Sequence, residues 1–276
     1  MAIENNPLKQ YFRRPAVYIK LPSGGKYYPP GIIDVPENGE LPVFPMTAID
    51  EITTKTPDAL YNGSAMAELI KSCVPAIKDP WQINSMDLDA ILIGIRAAAG
   101  GNDLEIESTC PACNDYGKYG INLINMLAQM QPGDYNTEYK VNDLAIKFRP
   151  LNYKEMNEAA IGQFEIQRAF VMLEQEQDEE IRKQKGQEAL RRVTQLTIKL
   201  LTGAIEYIET PTARVTEKEY ITDFLNNCDK NMYIGIRDYN AELKSTSEIK
   251  PLKIKCVHCN HNYEQPFTLN TSDFFG

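Results

Sequence analysis

A chain of 276 residues, 43% hydrophobic and 24% charged, has the composition of a globular protein and can bury one large core or two modest ones. Its formal charge of -9 argues against general binding to nucleic-acid backbones, where affinity comes from lysine and arginine displacing counterions. Neither a run of about 18 apolar residues nor an apolar signal core is found, so no membrane span or export is expected and the six cysteines read as intracellular thiols.

The first 44 residues are dense in proline, which lacks an amide donor and cannot sit inside helices or central strands. They read as an extended arm. Within it Ala16 to Leu21 predicts a short strand, Pro22-Ser23-Gly24-Gly25 a turn, and Tyr27-Tyr28 an aromatic pair. Tyr18, Leu21, Tyr27 and Tyr28 are the candidate partner-binding residues. The alternative is that this segment covers its own domain.

From Pro45 the pattern turns helical. Thr56-Pro57 predicts a helix start, and Ser64 is expected to cap a segment that Val74-Pro75 stops. Leu88, Ile91, Leu92 and Ile95 fall on one face of a helix that ends at Gly100-Gly101. Leu104 to Thr109 and Tyr119 to Leu123 read as strands flanking the pair Cys110-Pro111-Ala112-Cys113. Together, 45–130 forms a first unit.

A second unit, 145–276, begins similarly. Pro150-Leu151-Asn152 resembles Pro45-Met46-Thr47, and Asn152 with Glu155 has the spacing of a capping box. A long helical stretch, 153–208, follows as an insertion; its polar middle, Glu174 to Gly186, predicts either a break into a hairpin or a projection from the body. Thr216 with Glu219 is a further capping-box candidate. Met232, Ile236, Tyr239 and Leu243 form a second amphipathic face, and Leu252 to Lys255 and Tyr263 to Leu269 predict strands around Cys256-Val257-His258-Cys259.

The two Cys-x-x-Cys pairs share their surroundings. Each follows an Ile-Gly-Ile-Arg segment, at Ile93 and at Ile234, and each has a leucine thirteen residues past its first cysteine, Leu123 and Leu269. The expectation is an α+β chain of two internally repeated units, each a helical part plus a β-hairpin knuckle. Cys110, Cys113, Cys256 and Cys259 would then share one structural zinc ion, since four thiolates suit its tetrahedral preference and leave no open position for catalysis. His258 or His261 is the alternative ligand beside the second pair. Cys73 and Cys228, in helical contexts, read as buried free thiols. With two histidines in the chain there is little material for a catalytic triad, and Ser23-Gly24-Gly25-Lys26 lacks the flanking residues of a phosphate loop. No enzymatic activity is expected.

The Tyr18-Ile19-Lys20-Leu21-Pro22-Ser23-Gly24-Gly25-Lys26-Tyr27-Tyr28 segment, Pro45-Met46-Thr47, and Ile93-Gly94-Ile95-Arg96 followed by Cys110-Pro111-Ala112-Cys113 resemble the baseplate hub assembly proteins of T4-like contractile-tailed bacteriophages. The resemblance implies a non-enzymatic protein of tail morphogenesis. Its partners would be other baseplate hub or tail proteins, in the virion or in the host cytoplasm during assembly, with oligomers possible there. Deleting residues 1–30 is expected to abolish hub incorporation and leave the zinc core folded. The competing class is a zinc-ribbon nucleic-acid-binding regulator using Lys253, Lys255 and His258, and it is disfavoured by the acidic balance.

Overall fold

The computed structural model describes residues 6–56, 61–174, 176–267 and 269. It is mixed, with eight α-helices and small antiparallel sheets among the described residues. In the N-terminal part, β1 (Val17–Lys20) and β2 (Glu40–Val43) form a hairpin, followed by α1 (Ala48–Thr54), α2 (Ser64–Cys73) and α3 (Ser85–Gly100). Next come the hairpin β3 (Asp103–Thr109) and β4 (Tyr116–Asn122), and α4 (Leu123–Gln129).

In the C-terminal part, β5 (Tyr139–Val141) and β6 (Leu144–Phe148) lead into α5 (Tyr153–Glu174) and α6 (Glu179–Ala204). Two further strands, β7 (Ile205–Glu209) and β8 (Arg214–Val215), complete a sheet of order β5-β6-β7-β8. Helices α7 (Lys218–Asn227) and α8 (Lys230–Ser247) then precede the hairpin β9 (Leu252–Lys255) and β10 (Asn262–Gln265).

Apolar residues at helical spacing on α2 and α3, including Leu69, Ile70, Ile91 and Ile95, bury against Leu41 and Val43 of β2. A second core joins Ile146 and Phe148 of β6 to Leu201, Ile205, Ile221 and Ile236. A third, smaller cluster packs Ile93 of α3 with Leu123 and Met126 of α4, and draws in Leu252, Phe267 and Leu269 from the far end of the chain. The two leucines thirteen residues past the first cysteine of each pair, Leu123 and Leu269, therefore meet in one apolar patch.

Helix starts follow local chemistry. Thr47 and Asp50 form a reciprocal capping box on α1, and Asn152 and Glu155 satisfy each other's amides at the head of α5. In both places an arginine braces the box. Arg13 donates to the Pro45 carbonyl at 2.6 Å and approaches Asp50 at 3.4 Å, while Arg149 donates to the Pro150 carbonyl at 3.4 Å and to Glu155 at 2.5 and 3.0 Å. The Ile-Gly-Ile-Arg segments lie on α3 and α8, and their glycines permit close approach by a strand. A Cβ on Gly94 would stand 2.8 Å from Ile19 of β1, and one on Gly235 would stand 2.5 Å from the Tyr139 hydroxyl of β5.

Several expectations need correction. The stretch 153–208 does break, as expected, into a hairpin of two helices, cross-braced by Lys199–Glu158 at 3.0 Å and Lys185–Glu176 at 2.7 Å, but its end is not helical. The second helix ends at Ala204, because Ile205–Glu209 pairs with β6 as a strand. Leu123 opens α4, capped by Asn122, and does not end a strand. The α7 cap is Glu217, with no side-chain bond, so Thr216 and Glu219 make no capping box. Gly63, not Ser64, caps α2. The helix start expected at Pro57 lies outside the described residues.

The proline-rich segment is not a free arm from residue 17 onward. Ile19 is 2% exposed and Leu21 6%, both within the first core. Past the turn, buried Asp87 of α3 accepts hydrogen bonds from the Ser23 amide at 2.8 Å, the Ser23 hydroxyl, and the Tyr28 hydroxyl at 2.6 Å. Deletion of residues 1–30 removes this strand and this network, so it opens the first core and cannot leave the fold intact.

Candidate metal centre

The two knuckles are near copies in backbone detail. In the first, the Cys110 amide donates to the Asp115 carbonyl at 2.9 Å and the Asn114 amide to the Cys110 carbonyl at 2.9 Å. In the second, the Cys256 amide donates to the His261 carbonyl at 2.9 Å and the Asn260 amide to the Cys256 carbonyl at 3.0 Å. Asn114 and Asn260 both adopt left-handed φ, at 58° and 60°. Asparagine tolerates that region better than other side chains, which lets the chain reverse directly after the second cysteine. The asparagine following each pair is legible in the sequence, and spacing analysis of the cysteines alone passes over it.

Each hairpin presents its two sulfurs on one side, and the hairpins abut. Tyr263 on β10 donates to the Ser108 hydroxyl of β3 at 2.9 Å, and Ser108 donates to the Gln265 side chain at 3.0 Å. Cys113 and Cys256, 143 positions apart, are thereby brought to 3.7 Å between sulfurs, and Cys110 and Cys259 also to 3.7 Å. All four Sγ atoms lie within 4.8 Å of one another. A regular tetrahedron with a metal–sulfur distance of about 2.3 Å has an edge of about 3.8 Å. The measured separations fit that edge and are far beyond the roughly 2.05 Å of a disulfide. The donor set fits a thiophilic cation such as zinc.

Backbone amides favour negative sulfur, and at Cys256 they prevail. The Cys259 amide, followed by that of His258, points at the Cys256 sulfur and against the opposing effect of burial lowers its pKa to about 6. At Cys113 the Asp115 amide pulls the same way, but burial and the three neighbouring sulfurs outweigh it and lift that thiol to about 12. The His261 amide likewise favours the Cys259 thiolate, yet burial and the adjacent sulfurs leave this thiol raised. Four sulfurs at such range cannot all ionise unaided. A dication removes that conflict, and the amide donors then serve thiolates already in place.

His258 and His261 are exposed and outside the four-sulfur group, so the histidine alternative gains nothing from the geometry. Cys73 is buried in the first core, with burial pushing its thiol up to about 11, and half-buried Cys228 is raised for the same reason. Of the four partner-binding candidates, Leu21 and Tyr28 are spent inside the chain, which corrects their expected role as anchors. Tyr27 sits edge-on to buried Tyr135 at 5.9 Å, and only Tyr18, at 59% exposure, points outward.

Elsewhere a cleft of about 900 Å³ opens between α5, α6 and α7. Most of its charged groups are engaged: Lys218 donates to the Thr202 and Ile205 carbonyls, Glu155 pairs with Arg149, and Glu158 with Lys199. Among the described residues no helix is long and apolar enough to cross a membrane.

No curated protein and no solved structure matches the chain. Residues 19–276, which take in both hairpins and all four clustered cysteines, match the family described as T4 bacteriophage base plate protein, and the chain belongs to that family.

Proposed function

We propose that this base plate protein is a non-enzymatic component or assembly factor of the baseplate hub. In this proposal a structural zinc ion bound by Cys110, Cys113, Cys256 and Cys259 clamps two repeated units together. The observation that carries it is the convergence of four sulfurs from two remote hairpins into a tetrahedron-sized cluster. A site closed by four thiolates has no position for substrate or water, so the ion would supply cohesion and no chemistry.

The repeat is supported by parallels that metal binding alone would not require. Each half offers a strand hairpin, a proline-led helix cap braced by arginine, a helix whose glycine receives the hairpin's first strand, and a cysteine knuckle closed by a left-handed asparagine. They support the proposed units 45–130 and 145–276, with the α5–α6 hairpin inserted in the second, and they draw into the repeat the hairpins β1–β2 and β5–β6, which begin ahead of those bounds. Base plate membership supports partners among tail proteins. On this reading Tyr18, together with exposed Leu8, Tyr11 and Phe12 of the preceding segment, is the part of the arm that faces them.

Metal analysis of the purified protein tests the clamp: one zinc per chain is expected, lost in Cys110→Ser and Cys256→Ser variants. A metal-free wild type with four titratable thiols at the site would defeat it. Mass spectrometry of purified tails beside infected-cell lysate tests the hub role. Absence from tails combined with normal baseplates in a deletion strain would dismiss it.

A further inference from the structure

Between the two knuckle hairpins lies a groove of about 450 Å³, lined in part by apolar Met126 of α4, Met130 and Ile249. It meets β4 along the unbroken run 119–122 and β9 along the unbroken run 252–255. Side chains alternate along a strand, so a cavity that touches every residue in turn faces the strand's edge and not one of its faces. Both edges are free: among the described residues β4 pairs with β3 alone and β9 with β10 alone. Hydrogen bonds at the ladder ends fix which backbone groups look outward. The Cys110 amide donates to the Asp115 carbonyl and the Leu123 amide to the Asn102 carbonyl. In that phase Tyr119 and Ile121 turn inward to β3, and Gly120 and Asn122 turn their amides and carbonyls away from it. The Cys256 amide on the His261 carbonyl sets the same phase in β9, so Lys253 and Lys255 face outward there. Among the described residues no backbone group of another element bonds these four. A Cβ on Gly120 would meet nothing within 4 Å, and a glycine inside a strand often marks the close approach of another backbone.

We infer that this groove receives an extended segment of a partner protein, added as a strand between β4 and β9, with an apolar residue flanked by acidic ones. At the spacings of a sheet a residue fills about 160 Å³, so the groove seats about three. Charge selects the occupant. Lys253 and Lys255 are exposed and make no ion pair among the described residues, Lys253 not even with Glu264 opposite it in the ladder. Lys250 donates to the Ser245 carbonyl, and Glu248 is the acid that lines the groove. Edge lysines discourage chance pairing with basic or apolar strands and complement an acidic one. Ile121 and Leu252 both pack toward Met126, so an apolar residue of the occupant would lie on that side. Alternation then sets its acidic neighbours on the side of Lys253 and Lys255. The hub reading makes no use of this surface, which the two hairpins present whichever tail protein the partner is.

The experiment offers the purified full chain three labelled peptides: one with the core Glu-Val-Glu, its Lys-Val-Lys counterpart, and Glu-Val-Glu with the valine amide N-methylated. Fluorescence anisotropy reads affinity, and amide hydrogen exchange reads the site. The acidic peptide is expected to bind about tenfold tighter than either control, and the Gly120 and Lys253 amides, open in the free chain, should slow on binding. Joint Lys253→Glu and Lys255→Glu substitution should weaken it about tenfold at low salt, a difference that shrinks as salt rises. Gly120→Pro removes one groove-facing amide and spares the ladder to β3, so a loss of about fivefold to tenfold is expected. No binding of the acidic peptide at about 1 mM, or equal affinity for all three peptides, overturns the inference. Amides already slow in the peptide-free chain overturn it too: at every dilution the occupant would be the chain's own residues 270–276, and only on concentration a second copy. None of these outcomes bears on metal content or on presence in tails, which test the clamp and the hub role separately.

Discussion

Leu21 and Tyr18 separate two uses of the N-terminal segment. Leu21 is 6% exposed in the first core, beside Ile19 and Leu41, whereas Tyr18, three residues earlier, is 59% exposed. Truncating a buried leucine to alanine removes its transfer free energy and leaves a partly relaxed cavity, together about 2–5 kcal/mol. For a chain somewhat above the size range where each kcal/mol moves the melting temperature about 2–4 °C, Leu21→Ala should lower it by roughly 5–10 °C. Tyr18→Ala removes exposed surface and should stay within about 0.5 kcal/mol, near 1–2 °C. Thermal and urea unfolding of the isolated protein measure both, with the urea m-value expected to be unchanged. In tail assembly the ranking should invert at equal folded protein, Tyr18→Ala being the more harmful. A Leu21→Ala variant that melts within 1 °C of wild type would refute the placement of this strand in the core.

Two further outcomes follow from buried groups. Burial, reinforced by Glu248, raises Asp89 of α3 from 3.8 to about 6, so the fold favours its protonated form. Stability is therefore full below the unfolded value and falls as pH rises toward about 6. At about 1.36 kcal/mol per pKa unit, Asp89→Asn should stabilise by about 2–3 kcal/mol at pH 7 and by nearly nothing at pH 3.5, a convergence that urea titrations at the two pH values would show or deny. Gly94→Ala gains about 1 kcal/mol of helix propensity but forces a methyl to within 2.8 Å of Ile19, so a net loss of about 1–2 kcal/mol is expected. The loss should shrink in an Ile19→Ala background; a penalty that persists there would place the strain elsewhere.

Much of the site was legible because its grammar is local. Two cysteines with two residues between them, a strand on either side, and a repeated upstream helix announce a knuckle before any fold is known, and β3 and β9 sit where alternation put them, while β4 starts at Tyr116 ahead of the expected Tyr119 and β10 ends at Gln265. What the sequence concealed was decided by distant partners. Ile205–Glu209 follows without a break from a run of helix formers, and only its pairing with β6 makes it a strand. The three-residue strand Tyr139–Val141 is too short to register by periodicity. Proline-rich composition suggested a loose arm, yet Asp87, one acid among many in the sequence, turned out to be the acceptor that fastens it down.

The joining of residues 110/113 to 256/259 also has a mechanical meaning. With an ion seated, a pull applied beyond both knuckles travels from one hairpin straight into the other, and the chain between them forms a closed ring that bears none of the tension. The C-terminal sheet, the α5–α6 hairpin and α8 all lie inside that ring. They would keep their shape under a stretch that frays the ends, and would give way only after a metal–sulfur bond had ruptured.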